Sequence, residues 1–203
     1  MLAIIDYGVG NLFSLRCSLE KIGAEVIVTN DYEMLRNADH LILPGVGAFG
    51  DAAAKLRENR LDQVVIELAK SGKPLLGICL GMQMLFEKSF EYGEYDGLGL
   101  LKGQVVPMEG VIPSHLQIPH IGWNKLHFHH SDCPLFKYTK EHDFVYFVHS
   151  FYAENCKDSL IASTDYGTQL TAVVAKNNIF GCQFHPEKSG DIGLNILRAF
   201  LEV

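Results

Sequence analysis

Short apolar runs alternate with helix-forming segments through the first half of the chain, and this alternation limits the fold more than any other feature. Four-residue segments that are wholly or mainly apolar occur at 2–5, 25–28, 40–43 and 75–78, where they are too short for helices and suit buried strands. Apolar residues at helical spacing predict helices over 11–22, 51–59, 61–70 and 81–90. Because continuously apolar strands are buried on both faces, we predict an α/β fold with an open, mostly parallel sheet flanked by helices.

The second half of the chain has a different pattern, because strand-like runs follow one another there without helices between them. Runs of this kind are predicted at 98–106, 121–128, 144–152, 160–163, 170–175 and 179–184. Asn177-Asn178 is typical of a hairpin turn, so antiparallel strands are expected beside the parallel ones. An amphipathic helix is predicted over 191–201. Since the chain has no linker or repeat, we expect a single domain over residues 1–203.

Charge and hydropathy exclude two classes of partner. The net charge is −7 and no cluster of Lys and Arg exceeds two residues, which argues against nucleic acid. No apolar run approaches the ~20 residues of a membrane span, so no membrane partner is expected. The N-terminus reaches Asp6 without a basic residue, which indicates a buried strand rather than a signal peptide.

The number and spacing of the cysteines indicate the redox compartment of the protein. Their number, five, is odd, and they form no C-x-x-C pair, so neither a disulfide framework nor a zinc ribbon is indicated. A reducing compartment follows, and we expect a cytoplasmic location.

The segment around Cys79 carries the strongest chemical signal. A buried strand is predicted to run into Cys79 and a helix to begin directly after it, with Gly77 and Gly81 two positions to either side. This G-x-C-x-G pattern is the thiol counterpart of the nucleophile elbow, in which glycines relieve crowding at a strained turn. A free cysteine has a pKa of ~8.5, and a helix N-terminus or a nearby imidazolium lowers that value. The backbone N–H of Leu80 is expected to face a developing oxyanion. Taken alone, the pattern fits a buried structural cysteine equally well.

His185 lies at the tip of the last predicted strand and supplies a candidate base. Pro186 favours an extended conformation for His185, and residues i and i+2 of an extended chain point the same way. Glu187 can therefore reach one ring nitrogen and leave the other to face the thiol. A histidine at a strand end beside a surface glutamate is common, so the joint occurrence with the Cys79 elbow carries the prediction.

A glycine-containing loop, Pro44-Gly45-Val46-Gly47, follows the third predicted strand and precedes a helix. The amides of Val46 and Gly47 are candidates to complete an oxyanion hole with that of Leu80. One such donor is typically worth about 10²–10³ in rate. A plain strand-to-helix turn is the alternative interpretation.

The remaining histidines do not predict a metal site. His127, His129 and His130 lack partner ligands at metal spacing and are expected to be solvated loop or turn residues. We therefore expect catalysis without a metal and without an organic cofactor.

Stretches in chain order across nearly the whole sequence resemble the class I (triad) glutamine amidotransferases. They are DYGVGN at 6–11, PGVG at 44–47, GICLGMQ at 77–83, PHIGWN at 119–124, FVHSF at 147–151 and FHPEKS at 184–189. The stretches at 44–47 and 119–124 are typical of fewer proteins than the others. Within the family they resemble the glutaminase subunits of imidazole glycerol phosphate synthases. The resemblance implies the flavodoxin-like sheet of that family and a triad of Cys79, His185 and Glu187.

The same resemblance implies a substrate, a binding site and a partner. L-Glutamine is the implied substrate, contacted by Gln83 and by His149, Ser150 and Phe151. The implied partner is a (β/α)8-barrel cyclase that receives the ammonia in a heterodimer, in histidine biosynthesis. The implied docking face includes the following residues: Trp123, Asn124, Tyr146 and Lys188. Phe151 stands where tyrosine is usual in the family, and Cys182 where valine is.

Three other functions stay open at this point. The chain could supply ammonia to another synthase, such as a surface-sugar amidotransferase. It could be a cysteine peptidase or γ-glutamyl hydrolase, although Gln83 and the His149-Ser150 segment argue against that. It could also be a binding subunit without activity, against which the complete set of Cys79, His185 and Glu187 argues.

Overall fold

The computed structural model describes residues 1–203 of the chain, apart from the side chain at position 59. The helices are α1 Leu12–Lys21, α2 Tyr32–Asn37, α3 Phe49–Arg57, α4 Leu61–Lys70, α5 Leu80–Met84 and α6 Gly190–Phe200. The strands are β1 Leu2–Ile5, β2 Val26–Thr29, β3 His40–Leu43, β4 Leu75–Ile78, β5 Lys88–Ser89, β6 Tyr95–Asp96, β7 Gln104–Pro107, β8 His120–Lys125, β9 His127–Phe128, β10 Phe144–His149, β11 Phe151–Glu154, β12 Leu160–Asp165, β13 Gln169–Lys176 and β14 Ile179–Cys182.

An eight-stranded sheet forms the centre of the molecule, in the order β2-β1-β3-β4-β14-β13-β12-β9. The first five strands of this order are parallel, and the last three continue the sheet with antiparallel pairs. A two-stranded sheet of β10 and β8 and a four-stranded sheet in the order β11-β7-β5-β6 complete the strands. The predicted α/β fold, mostly parallel with antiparallel strands from the second half, is confirmed.

The central strands are buried on both faces, as their continuous apolar runs predict. In β1, Leu2 and Ile4 pack on the side of α1 and α6, whereas Ala3 and Ile5 pack on the side of α2, α3 and α4. Burying one Leu or Ile side chain is worth about 1.5–3 kcal/mol, so these two apolar layers stabilise the sheet from both sides.

Local signals fix where several elements begin and end. The side chain of Asn11 accepts a hydrogen bond from the Ser14 N–H at 3.5 Å and caps α1. The predicted hairpin joins β13 to β14, with Lys176 paired to Ile179 and Asn177 at a φ of 56°. Asparagine tolerates this left-handed conformation, which a two-residue hairpin turn requires.

The predicted helix over 81–90 is wrong beyond Met84. The carbonyl of Met84 accepts a hydrogen bond from the Leu98 N–H at 2.8 Å, and that of Phe86 accepts one from the Gly99 N–H at 3.0 Å. The segment from residue 97 to residue 103 therefore takes up carbonyls that a longer helix would have used. The predicted strand over 98–106 is shortened for the same reason, and β7 begins only at Gln104.

Two other predicted strands are each divided in the structure. The run at 121–128 forms β8 and β9, which belong to different sheets, and the run at 144–152 forms β10 and β11, which also pair with different strands. The second division falls at Ser150, whose carbonyl accepts a hydrogen bond from the Met108 N–H at 3.0 Å. The sequence interpretation also missed α2, a short helix capped by Asp31, whose carboxylate accepts the Met34 N–H at 2.9 Å.

Other element bounds agree with the predictions to within two residues. Among the residues described, the structure contains no helix with the length and hydropathy needed to cross a bilayer.

Candidate active site

Cys79 occupies a sharp turn between β4 and α5. Its φ of 55° and ψ of −112° are strained for a residue with a side chain. The two flanking glycines leave no room for a Cβ atom: at Gly81 it would lie 1.8 Å from the Leu43 carbonyl oxygen, and at Gly77 it would lie 2.6 Å from the Gly81 carbonyl oxygen. The predicted strand–turn–helix elbow is therefore present, and its glycines are required by space.

His185 follows β14, the strand that pairs in parallel with β4. Its φ of −99° and ψ of 100° are extended, as the following proline predicts. One ring nitrogen, Nδ1, lies 2.8 Å from Oε1 of Glu187. Both side chains are almost completely buried, at 3% and 4% exposure. The second carboxylate oxygen of Glu187 has no hydrogen-bond partner among the described residues.

Neighbouring charges determine the protonation of His185. Burial is the largest influence and lowers the pKa of the ring, but hydrogen bonds and charge interactions with Cys79 and Glu187 outweigh it and raise the pKa to about 9. The ring therefore carries a positive charge at neutral pH. An imidazolium beside a sulfur stabilises negative charge on that sulfur.

The sulfur of Cys79 has two weaker polar neighbours. The Val148 carbonyl oxygen lies 3.9 Å away, and the side-chain amide nitrogen of Gln183 lies 3.7 Å away. These contacts direct the sulfur toward the cavity that β10 and β11 border.

A cavity of about 290 Å³ opens in front of Cys79 and His185. It is lined by the predicted oxyanion residues, by the predicted substrate residues and by a few others: Val46, Gly47, Leu80, Gln83, His149, Ser150, Phe151, Glu91, Tyr92, Pro119 and Val148. Gly47 has a φ of 91°, a conformation open to glycine and rare for other residues. The cavity brings together every predicted catalytic, oxyanion and substrate residue except Glu187, which lies behind the His185 ring.

Comparison with known proteins identifies the family. The model of the family "Glutamine amidotransferase class-I" matches residues 3–203. The chain belongs to the class I glutamine amidotransferases.

Relatives agree with this membership, and a solved structure shares the fold. Imidazole glycerol phosphate synthase subunit HisH of Lactococcus lactis is 50% identical over 202 residues, which cover 99% of this chain and 98% of that protein. The subunit of the same name from Bacillus subtilis is 48% identical over 206 residues, with 100% and 96% covered. The structure of PurLQS from Thermotoga maritima has a TM-score of 0.76 at 23% identity, covers 99% of this chain and 97% of its own, and shows the same fold.

Four of the residues that line the cavity of this amidotransferase were not predicted from the sequence: Glu91, Tyr92, Pro119 and Val148. The first two carry polar groups. Glu91 accepts a hydrogen bond from the Phe49 N–H at 2.8 Å, and burial raises the pKa of its carboxyl group. Tyr92 is 85% exposed, with its ring 5.8 Å from that of Phe151 in an edge-on contact. The predicted helix over 81–90 explains why Glu91 and Tyr92 were missed. A continuous helix would not have turned the segment after Met84 back over the Cys79 turn.

Two of the predicted substrate residues of the amidotransferase use their polar atoms internally. The side-chain nitrogen of Gln83 lies 3.2 Å from the Phe151 carbonyl oxygen and 3.0 Å from the side-chain oxygen of Gln183. Nδ1 of His149 lies 2.9 Å from the same Phe151 carbonyl. Both residues border the cavity, and their side-chain nitrogens hold its wall in place.

The residues predicted for docking lie together on the β8–β10 sheet and the turn after His185. The ring of Trp123, 54% exposed, meets the ring of Tyr146 edge-on at 6.0 Å, and Nζ of Lys188 lies 5.9 Å from the centre of the Tyr146 ring. Asn124 donates a hydrogen bond to the Asp165 carbonyl at 2.8 Å. Two exposed apolar residues that the sequence interpretation did not include, Ile121 and Phe144, lie on the same strands.

The prediction that the other histidines lack partner ligands is wrong for His127. Its Nδ1 lies 3.7 Å from Oε1 of Glu141, and Nε2 of His142 lies 3.3 Å from the same oxygen. Potential ligand atoms of the three residues lie within 4.8 Å of one another. The pairing of β8 with β10 produces this cluster, which sequence spacing conceals. The carboxylate also accepts the Phe128 N–H at 2.7 Å, so contacts with Glu141 account for the arrangement.

Proposed function

We propose that this chain is the glutaminase subunit of an imidazole glycerol phosphate synthase, which releases ammonia from L-glutamine and delivers it to a (β/α)8-barrel cyclase in histidine biosynthesis. The observation that carries the proposal is the position of Cys79 and His185 at one cavity, with Glu187 bonded to the far side of the ring. The relatives named as subunits of that synthase match the chain over its whole length and support this choice of acceptor.

The chemistry begins with the charged pair of Cys79 and His185. The thiolate sulfur attacks the side-chain carbonyl carbon of glutamine, and the carbonyl π electrons move to its oxygen. Backbone N–H groups of Leu80 and of Val46 or Gly47 stabilise this oxyanion. The His185 imidazolium then donates its Nε2 proton to the leaving nitrogen, the C–N bond breaks, and ammonia departs.

The second half of the reaction regenerates the enzyme. The neutral His185 ring takes a proton from water while the water oxygen attacks the thioester carbon. The C–S bond breaks, glutamate leaves and the thiolate is restored. Throughout, Glu187 fixes the Nδ1–H tautomer of the ring and stabilises its positive charge.

A docked partner completes the function. The cavity of about 290 Å³ in front of Cys79 suits a small amino acid rather than a small amino acid together with a phosphorylated acceptor. Ammonia released into water would be diluted and protonated, so delivery requires a partner covering the site. The exposed aromatic surface around Trp123 and Tyr146 adjoins the His185 segment, because the Tyr146 carbonyl accepts the His185 N–H at 3.0 Å.

Replacing the nucleophile tests the proposal. In a complex with a barrel cyclase, Cys79→Ala is expected to reduce glutamate release at least about 10³-fold, since no other group supplies the covalent step. The matched control is Cys17→Ala, which removes an exposed thiol and should leave turnover unchanged. Glutamate is measured by a coupled assay, and imidazole glycerol phosphate by chromatography.

Two results would contradict the proposal in different ways. Full glutamate release by Cys79→Ala would remove the triad assignment. Glutamate release that the cyclase neither stimulates nor converts to imidazole glycerol phosphate would leave the triad intact but assign the chain to another acceptor.

A further inference from the structure

Two buried histidines face each other beside the active site, and the mechanism above does not use either ring. His120 on β8 and His149 on β10 are cross-strand partners. Nδ1 of His120 lies 3.1 Å from Nε2 of His149, and the residues are 3% and 6% exposed. Each ring nitrogen in this pair therefore has a defined partner, which makes the direction of each hydrogen bond decidable.

The hydrogen-bond acceptor at the active-site end of the pair determines the protonation state of His149. Its Nδ1 lies 2.9 Å from the Phe151 carbonyl oxygen, which can only accept a hydrogen bond. Nδ1 of His149 must therefore carry a proton. In a neutral ring Nε2 is then an acceptor, so the proton between the two rings belongs to Nδ1 of His120.

The hydrogen-bond donor at the surface end of the pair independently requires the proton between the two rings to belong to His120. With Nδ1 protonated, the neutral His120 ring has an acceptor at Nε2, and the side-chain nitrogen of Asn124 lies 3.4 Å from it. That amide cannot be reversed, because its nitrogen donates to the Asp165 carbonyl at 2.8 Å and its oxygen accepts the Lys125 N–H at 2.8 Å. Both ends therefore give one result: two neutral rings, each with its proton on Nδ1.

The surroundings of the rings favour this arrangement. His120 lies between two aromatic rings, 5.0 Å from that of Phe147 and 4.0 Å from that of Tyr166, with interplanar angles of 20° and 23°. These stacks restrain its rotation. Burial lowers the pKa of both His120 and His149 to about 4, so the rings are neutral at physiological pH. A proton added to either ring would place two N–H groups against each other.

The hydrogen bonds continue from Phe151 to the sulfur. The Phe151 carbonyl also accepts from the side-chain nitrogen of Gln83 at 3.2 Å. The same nitrogen contacts the side-chain oxygen of Gln183 at 3.0 Å, and the Gln183 nitrogen lies 3.7 Å from the Cys79 sulfur. A continuous polar path therefore joins a residue of the β8 surface to the nucleophile.

We propose that His120 and His149 are positioning residues, which hold the Phe151 carbonyl at the wall of the glutamine cavity through a one-directional chain of hydrogen bonds that begins at Asn124. The link to glutamine and to a docked partner rests on the proposed function, whereas the directions of the hydrogen bonds do not. Contact of a partner with Asn124 is transmitted along this chain to the cavity wall.

Nitrogen NMR of the full chain labelled with ¹⁵N-histidine tests the directions without reference to activity. At pH 7 both rings are expected as neutral Nδ1–H tautomers, although free histidine in water favours Nε2–H. Single substitutions of each histidine by glutamine assign the signals. An Nε2–H tautomer or a doubly protonated ring at either position would overturn the proposal.

A charge-neutral and a charge-bearing replacement of Asn124 test the positioning role. Asn124→Asp supplies only acceptors, so His120 must move its proton to Nε2, His149 must follow, and the bond to Phe151 is lost. At saturating cyclase we expect the KM for glutamine to rise about tenfold, the effect of one lost hydrogen bond, with both rings in the Nε2–H form. Asn124→Ala removes the donor without demanding a reversal, so the tautomers should stay as in the wild type. The charge-matched control Asn30→Asp lies at an exposed position outside this chain of hydrogen bonds and should leave the KM unchanged.

The outcomes separate this proposal from the proposed function. Unchanged tautomers and KM in Asn124→Asp would refute the positioning role. Nδ1–H tautomers in a wild-type complex that fails to hydrolyse glutamine would refute the proposed function and leave the hydrogen-bond chain in place.

Discussion

At the scale of single residues, the pair of His185 and Glu187 decides how the active site is charged. Glu187 is nearly as buried as the ring it contacts, and its second oxygen has no partner among the described residues. A buried carboxylate with an unused oxygen is unfavourable unless a cation faces it. Cys79 and Glu187 together raise the pKa of His185, and the resulting charge on the ring in turn favours the buried carboxylate.

Removing that charge gives a prediction. In Glu187→Gln the neutral amide keeps the size of the side chain, but the pKa of His185 falls from about 9 because the carboxylate no longer stabilises its proton. We expect kcat/KM for glutamine hydrolysis to fall by roughly 10²–10⁴-fold at pH 7. Steady-state kinetics of the complex measure the loss, and NMR titration of the His185 ring measures the pKa.

A matched control separates the ion pair from general charge effects. Asp191→Asn makes the same change of charge in the first turn of α6, at an exposed position. It should leave both kcat/KM and the pKa of His185 unaltered. An unchanged ring pKa in Glu187→Gln would show that the carboxylate is not what holds the proton.

Residue patterns predict part of this site and not the rest. Local motifs in the sequence predict catalytic roles for Cys79, His185 and Glu187, and the structure shows the predicted contact between His185 and Glu187, which is a local one. The internal use of Gln83 and His149 could not be predicted, because both bond to the carbonyl of Phe151, and that contact depends on where two sheets meet.

At the scale of elements, the turn between β4 and α5 requires glycine at position 81 because a Cβ atom has no room there, and not because the backbone of Gly81 has a positive φ. Its φ is not among the positive values, yet a Cβ there would lie 1.8 Å from the Leu43 carbonyl oxygen. Since the obstructing atom belongs to the backbone of β3, relief requires the strand or the elbow to move.

This geometry predicts a large loss of folding stability when a single methyl group is added at Gly81. Gly81→Ala is expected to lower the free energy of unfolding by about 2–4 kcal/mol, because strain in a packed backbone is added to overpacking. The control is Gly23→Ala, where φ is 86° but the Cβ meets nothing within 4 Å. That change should cost only about 1 kcal/mol. Urea unfolding monitored by circular dichroism measures both, and equal losses in the two variants would contradict the role of crowding.

Elements in the parallel half could be predicted well from the sequence, and the segment after Met84 could not. Short apolar runs bounded by turns form buried strands when helices cover both faces of the sheet, so β1, β3 and β4 match the predicted bounds. The bounds of α4 also match the prediction. The run from Met82 to Phe86 is buried on all sides, and periodicity cannot distinguish a helix from another buried conformation there. Hydrogen bonds from distant residues 97–101 decided the outcome.

At the scale of the whole molecule, three histidines give stability opposite dependences on pH. The folded state holds the His185 proton more tightly than the unfolded chain, whose pKa is 6.5, so this contribution is complete below pH 6.5 and is lost as pH rises toward 9. His120 and His149, with pKa values of about 4, contribute fully above pH 6.5 and lose their contribution as pH falls toward 4.

We therefore predict a stability maximum near pH 6.5, with a loss on the order of 2 kcal/mol for each ring, from one ring on the basic side and from two on the acidic side. Denaturant unfolding from pH 4.5 to 9 measures the profile. His120→Gln should flatten the acidic side only, and the exposed His115→Gln should change neither side. Identical acidic slopes in wild type and His120→Gln would contradict the assignment.

The position of β14 in the central sheet has a consequence for synthesis of the chain. This strand, followed by His185, enters the sheet between β4 and β13, so Cys79 and His185 become neighbours only after residues 179–185 have been synthesised and have joined the sheet. A nascent chain that ends before Ile179 carries a cysteine without a proton acceptor. Translation itself thereby delays the assembly of the candidate active site until this last strand of the central sheet has been made.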